Sequence, residues 1–121
     1  IDLSPKAIAI ARQRGIKAEF IDANFYDYDF PPASFDVIVC VETLFYVVDQ
    51  IHFVAKLASL IRSRGFLTLT TINKFVYKRR RDIGPPPPGQ VRKWLSMRQT
   101  RRLLTPYFEI LMMATMEPRG D

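Results

Sequence analysis

DVIVCV, residues 36–41, is the stretch that decides the fold, because it is a nearly continuous run of apolar, mostly β-branched residues. Such a run is typical of a strand covered on both faces, as in a parallel sheet. Upstream, Ser4 and Pro5 supply the cap and first position of a helix over residues 5–14, and KAEFI, residues 17–21, alternates like a second strand. The sequence therefore predicts a helix and a strand ahead of the buried strand.

Downstream of the buried strand, apolar residues recur every three or four positions from 51 to 61, which predicts a helix that ends before Gly65. FLTLTTI, residues 66–72, predicts the next strand. Strands and helices thus alternate, and that order requires crossover connections. We expect an α/β fold: a Rossmann-like parallel sheet with helices on both faces.

The last third of the chain departs from this alternation. Residues 73–90 are basic and proline-rich and predict an extended excursion. Ser96 and Gln99 form a capping box for a further helix, which Pro106 ends, and residues 107–115 predict a final strand. We expect one domain with an insertion at about 73–90.

Composition excludes several classes of protein. The 121 residues are 48% hydrophobic and 25% charged, which is typical of a globular domain. No apolar run approaches the ~20 residues of a membrane helix, so we expect no membrane partner and a cytoplasmic protein. Cys40 and His52 are the only residues of their types, so we expect neither a disulfide nor a metal site.

Charge is divided unevenly along the chain. Residues 1–61 hold 5 Lys/Arg against 8 Asp/Glu, a net charge of −3, whereas residues 62–121 hold 13 against 4, a net charge of +9. The cations at 78–81 and 92–93 alternate with aromatic residues, which suits nucleic acid or an anionic substrate. A solvated connection accounts for the same charges and is the favoured interpretation.

Chemistry is expected beyond the carboxyl ends of the strands, where open parallel sheets bind ligands. Asp2 could accept hydrogen bonds from both hydroxyls of a ribose, with Leu3 beside it against a purine; alternatively, its charge only interacts with the helix that follows. Asp22, Asn24 and Phe25 offer polar groups beside an aromatic ring, or form an Asx turn with the ring in the core.

IDLSPKAIAIAR, residues 1–12, and FPPASFDVIVCVETLFYV, residues 30–47, resemble the class I S-adenosylmethionine-dependent methyltransferases. The resemblance extends to RGFLTLT, residues 64–70, and loosely to LLTPYFEIL, residues 103–111. It implies that S-adenosylmethionine is the cofactor and that a small molecule accepts the methyl group.

The resemblance also assigns roles to individual residues. It implies that Asp2 binds the ribose, that Leu3 packs near the adenine, and that Asn24, or Asp22 in another register, binds the adenine edge. Phe25 flanks the ring, and Val41 and Glu42 approach the methionine portion. Tyr46 stands where the family often has histidine, and Tyr46 and Tyr77 are the candidates for binding the acceptor. No catalytic residue is assigned, because the leaving group of methyl transfer departs without a proton.

The family begins with a strand and a glycine-rich turn, and the 5 glycines of this chain include no GxG. That motif would lie upstream of Ile1, and its strand would be central in the sheet. We therefore expect residues 1–121 to be a fragment that neither folds securely nor binds cofactor well alone. Two further functions compete with methyl transfer: a nicotinamide-dependent oxidoreductase, and a non-catalytic module that binds RNA through the basic half.

Overall fold

The computed structural model describes residues 1–79 and 83–115, in two compact units, Ile1–Pro31 and Pro32–Asp121. Helix α1, Pro5–Gln13, is the main element of the first unit. It begins where the sequence predicts, because the Ser4 hydroxyl accepts a hydrogen bond from the Ala7 amide at 3.2 Å.

The strand predicted at 17–21 is absent from the described first unit, so that prediction is wrong. In its place, an isolated parallel bridge joins Asp2 to Asp22, the residue after this segment. The Asp2 amide donates to the Ile21 carbonyl at 3.1 Å, and the Ala23 amide donates to the Asp2 carbonyl at 3.2 Å. Two hydrogen bonds are too few for a ladder, since a strand forms only as far as a paired neighbour accompanies it.

The second unit contains a parallel two-stranded sheet, which confirms the predicted α/β class. Strand β1, Phe35–Val41, pairs with strand β2, Ile61–Thr70. An irregularity near the start of β1 shifts the register, and Gly65 lies on β2 at that point. A Cβ at this glycine would lie 2.7 Å from the Asp36 carbonyl oxygen, so the close approach of the two strands requires glycine.

Helix α2, Gln50–Leu60, connects the two strands and contacts β2. It ends earlier than predicted, because Ile61 already has the extended backbone of β2 (φ −82°, ψ 131°). The core of this unit lies around α2, and Leu44 and Val54 are fully buried in it. The buried apolar residues of the second unit are Cys40, Leu44, Phe45, Val47, Phe53, Val54, Leu57, Leu60 and Leu104.

The opposite face of β1 differs from the prediction of a strand covered on both faces. Val37, Val39 and Val41 are 51%, 64% and 59% exposed, whereas Cys40 on the other face is buried. Alternating side chains point to opposite faces of a strand, so the described residues cover only one face of this sheet.

Three short helices complete the second unit: the 3-10 helix Leu44–Tyr46, helix α3 (Lys74–Tyr77) and helix α4 (Met97–Leu104). The capping box of α4 is confirmed, because the Gln99 amide donates to the Ser96 hydroxyl and the Ser96 amide donates to the Gln99 side chain. The prediction of a final strand at 107–115 is wrong, because this segment pairs with no described strand and Met112 is 87% exposed.

Two parts of the chain lie outside the described residues: 80–82, within the predicted basic run and insertion, and 116–121. Within the described ranges, the longest helix has 11 residues, and none is long and apolar enough to cross a membrane.

Candidate functional site

The first unit brings together the residues that the sequence assigns to a nucleoside. The bridge between Asp2 and Asp22 places the two strand-end residues side by side. Asp2 is exposed, and its Oδ1 accepts a hydrogen bond from the Ser4 amide at 2.8 Å. The carboxylate therefore interacts with the start of α1, as in the alternative interpretation of its charge. Its second oxygen can still accept hydrogen bonds from a ligand. Leu3 is 70% exposed beside it.

Asn24 and Phe25 follow this bridge in a tight turn. The Asn24 side chain accepts from the Tyr26 amide at 3.0 Å, and its backbone carbonyl accepts from the Asp27 and Tyr28 amides. This is the Asx turn of the alternative interpretation. The Phe25 ring is partly exposed, 6.1 Å from the Phe30 ring, and is not in a closed core. Asn24 is half-buried, and the turn uses the oxygen of its side chain but not the NH₂ group, which remains a donor.

Val41 and Glu42 form the carboxyl end of β1 in the second unit. Both side chains are exposed, and Glu42 has a left-handed backbone with φ 51°. Its amide donates to Thr70, to the carbonyl at 3.1 Å and to the hydroxyl at 3.2 Å. The left-handed conformation costs a residue with a Cβ about 1–2 kcal/mol. Such strain clusters at functional sites, so it supports Glu42 as a candidate.

The segment that returns from the basic excursion is fixed to the loop after β1. The Lys93 amide donates to the Phe45 carbonyl at 2.7 Å, and the Gln50 side chain donates to the Lys93 carbonyl at 3.0 Å. The Lys93 ammonium also donates to the Val48 carbonyl. Asn73 and Leu95 form a parallel bridge. The segment 93–95, which follows the insertion, is therefore docked, and the interpretation of residues 78–81 as a solvated connection stays a prediction.

This docking creates a pocket of about 140 Å³ beyond the ends of both strands. Tyr46 and Tyr77, predicted from the sequence as acceptor-binding residues, both line it. Trp94 lines it too, with its ring centroid 5.0 Å from that of Tyr77. The sequence marked Arg92 and Trp94 only as part of a basic and aromatic run. The full lining is Phe45, Tyr46, Ile72, Tyr77, Ile83, Arg92 and Trp94.

A larger groove of about 730 Å³ lies between the start of α2 and helix α4. Ile51, Lys93 and Arg102 are among its lining residues, and its walls are mainly apolar. No residue at the end of β1 or β2 lines it. It is therefore a weaker candidate for strand-end chemistry than the smaller pocket.

Neither Cys40 nor His52 is among the residues that line the strand-end pocket. Burial raises the pKa of the Cys40 thiol, and the hydrogen bond with Thr43 opposes that rise only in part. A thiol of raised pKa stays protonated at neutral pH and is a poor nucleophile. The His52 amide is bound by the Asp49 side chain, which caps α2. Within the described residues, no group of His, Cys, Asp and Glu could hold a metal ion.

Comparison with known proteins identifies the family. The methyltransferase domain model matches residues 1–69, more than half of the chain. A probable S-adenosylmethionine-dependent methyltransferase of Mycobacterium tuberculosis is 32% identical over 82 residues, which cover 68% of this chain and 30% of that protein.

Two ubiquinone biosynthesis O-methyltransferases are similarly related. That of Thiobacillus denitrificans is 34% identical and that of Aromatoleum aromaticum 35% identical, each over 61% of this chain and 34% of the relative. The chain thus spans about a third of the length of the curated relatives it matches. No solved structure matches it significantly. From the family match and the strand-end residues together, the chain belongs to the methyltransferase domain family.

Proposed function

We propose that the protein transfers a methyl group from S-adenosylmethionine to a small-molecule acceptor. The observation that carries this proposal is the methyltransferase domain match over residues 1–69, which include Asp2, Asn24 and Glu42. Bound to the protein, S-adenosylmethionine supplies a methyl group on a sulfonium whose leaving group departs neutral. The protein's own work is then to bind and orient the two reactants.

The residues of the first unit suit the ribose and adenine. The exposed Asp2 carboxylate uses one oxygen on the Ser4 amide, which leaves acceptor capacity for vicinal hydroxyls. Leu3 offers apolar surface to a purine face. The Asp22 carboxylate can accept from an exocyclic amine, and the Asn24 NH₂ group can donate to a ring nitrogen. The donor and acceptor set therefore fits a nucleoside.

Val41 and Glu42 suit the methionine portion. A carboxylate at the end of β1 forms a charge-assisted hydrogen bond with an ammonium group, and the exposed Val41 offers apolar contact. The hydrogen bonds of the Glu42 amide to Thr70 hold the backbone from which this carboxylate projects. Glu42 thus acts as a binding residue for the cofactor.

Binding of S-adenosylhomocysteine and of a nicotinamide dinucleotide to the full natural chain separates methyl transfer from the oxidoreductase alternative. Isothermal titration calorimetry measures both affinities. We expect S-adenosylhomocysteine to bind and the dinucleotide to show no heat of binding. Tighter binding of the dinucleotide would overturn the proposal.

A small-molecule acceptor is favoured over RNA as the partner, because a pocket of about 140 Å³ lies beyond the strand ends. We also propose a cytoplasmic location, from the single cysteine and the sequence composition. Retention on an RNA column that falls steeply with salt, and that is lost when Lys78 and Arg79 are both changed to Gln, would support the RNA alternative instead.

A further inference from the structure

The groove between the start of α2 and helix α4 has the size of a small-molecule site. Its volume is about 730 Å³, and sites for small ligands usually occupy about 300–1,000 Å³. Far fewer residues line it than the roughly 20–30 on each side of a specific protein interface. The dimensions of the groove therefore favour a small ligand over a partner protein.

The docked segment separates this groove from the pocket at the strand ends. Arg92 and Trp94 line the small pocket, whereas Lys93 and Leu95 line the groove. Because successive side chains of an extended segment point to opposite sides, the two cavities lie on opposite sides of residues 92–95. The groove is thus a second site, apart from the strand ends at which methyl transfer is proposed.

The walls of the groove indicate the apolar part of its ligand. Val48, Ile51, Leu95 and Leu103 are among the lining residues, and all four are aliphatic. Val48 and Ile51 are 64% and 67% exposed, so a ligand chain that covered them would remove apolar surface from water. Aliphatic walls suit a flexible hydrocarbon chain, whereas a flat ring is selected mainly by aromatic neighbours.

The charged residues of the groove indicate the polar part of its ligand. Lys93 and Arg102 line it, against one carboxylate, Asp49, whose Oδ1 accepts from the His52 amide as the cap of α2. Among the residues that the structure describes, neither an ion pair nor a side-chain hydrogen bond is found for the exposed Arg102. The Lys93 ammonium donates to the Val48 carbonyl and has further donors. The excess of cations favours an anionic group, because hydrogen bonds between ionised partners are the strong ones.

We propose that this groove binds a straight-chain aliphatic carboxylate. The hydrocarbon chain lies along Ile51 and Leu103, and the carboxylate accepts hydrogen bonds from the Arg102 guanidinium. This binding goes beyond methyl transfer, since the ligand lies on the other side of the docked segment from the strand ends.

The test measures binding of octanoate to the full natural chain by calorimetry. Octan-1-ol is the neutral control ligand with the same chain, and butanoate is the short control of the same charge. We expect octanoate to bind at least about tenfold more tightly than either control, because each control lacks the charged group or most of the buried methylenes. Absence of octanoate binding, or equal affinity for octan-1-ol, would overturn the proposal.

A pair of arginine variants locates the carboxylate. Arg102→Gln should weaken octanoate binding about tenfold to hundredfold. Arg101→Gln removes the same charge from an exposed position of α4 that does not line the groove, and it should leave the affinity unchanged. Equal effects of the two variants, or no effect of either, would overturn the assignment of the carboxylate to Arg102.

A pair of substitutions at Ile51 locates the hydrocarbon chain. Ile51→Asp places a carboxylate against the chain and should weaken octanoate binding at least about tenfold, whereas Ile51→Leu should retain it. Because the side chain is 67% exposed, both variants should melt close to wild type. Octanoate binding that Ile51→Asp does not weaken lies elsewhere and would overturn the proposal.

Sedimentation with phosphatidylglycerol vesicles tests a lipid surface as the source of the same chemistry. We expect the full natural chain to bind free octanoate and to stay in solution when the vesicles are pelleted. Pelleting with the vesicles, together with no heat of octanoate binding, would assign the surface to a membrane and overturn the proposal. Neither outcome alters the affinity for S-adenosylhomocysteine, so methyl transfer is tested separately.

Discussion

The two units of the molecule hold their candidate residues by different means. The first unit, Ile1–Pro31, has one buried apolar residue, Ile8, whereas the other nine found in the described chain all lie in the second unit. Asp2 and Asp22 are positioned by a two-bond bridge and a helix cap, whereas the lining of the small pocket includes the buried Phe45 and the half-exposed Tyr46. The nucleoside residues therefore depend on local hydrogen bonds, whereas the pocket combines hydrogen bonds between distant segments with the buried Phe45 ring.

The largest expected effect comes from the core of the second unit. Leu44→Ala removes a fully buried side chain and should cost about 2–5 kcal/mol of unfolding free energy. Leu3→Ala is the matched change in the first unit, where the side chain is 70% exposed, and should cost less than about 0.5 kcal/mol. Urea unfolding of the full natural chain measures both. Equal losses would show that burial does not distinguish the two units.

The close approach of the two strands gives the next effect. Gly65→Ala should destabilise the second unit by about 1–3 kcal/mol, because the new Cβ would lie 2.5 Å from Ile61 Cγ2 and 2.7 Å from the Asp36 carbonyl oxygen. Gly84→Ala is the control, since nothing in the described part of the chain lies within 4 Å of its Cβ position. Thermal melts compare them, and a Gly65 variant as stable as the Gly84 variant would show that the strands are not in this register.

Each unit has a helix that begins at a serine cap, Ser4 in the first and Ser96 in the second. Ser96→Ala breaks the capping box of α4 and should cost about 1 kcal/mol. Ser4→Ala removes the single cap bond of α1 and should cost less, since only Ile8 of that helix is buried. Urea unfolding followed by amide hydrogen exchange measures the unfolding midpoint of each unit separately. A larger loss at Ser4 would contradict the core-based account of the second unit.

The reactivity of the Cys40 thiol tests its burial, and its titration has the smallest expected effect on stability. Because burial raises its folded-state pKa above the ordinary value of 9.0, the thiol favours folding below pH 9.0, and that contribution is lost as pH rises through the folded-state pKa. At pH 8, alkylation by iodoacetamide, followed by peptide mass spectrometry, should be at least about tenfold slower than in urea. Equal rates would show that the thiol is exposed.

Local chemistry made part of the fold predictable. Ser4, Pro5 and the pair Ser96 and Gln99 predict the starts of α1 and α4, because caps act within one turn of the chain. The apolar run at 36–41 likewise predicts β1. These signals are complete in a few neighbouring residues.

Pairing between distant segments was not predictable in the same way. The strands expected at 17–21 and 107–115 have the right composition, but within the described chain the first forms only a bridge and the second none. Gly65 was interpreted as the end of a helix, yet its role is the contact with the Asp36 carbonyl across the sheet. A strand depends on its partner, which the local pattern does not contain.

The candidate site likewise contains residues that the sequence predicts and contacts that it does not. Tyr46 could be marked from the resemblance and Tyr77 from its place beside the basic run, and both line the same pocket. The unpaired Trp94 Nε1–H and the docking of Lys93 on Phe45 depend on contacts between segments about 45 residues apart, so only the structure reveals them.

The most direct test of methyl transfer is the affinity of the full natural chain for S-adenosylhomocysteine when Asp2 is changed. Asp2→Asn keeps an oxygen for the Ser4 amide and removes the charge that would bind the ribose hydroxyls. Calorimetry should show binding weakened about tenfold to hundredfold, with Asp27→Asn, an exposed carboxylate of the same unit, unchanged. Equal affinity of the Asp2 variant and wild type would contradict the account.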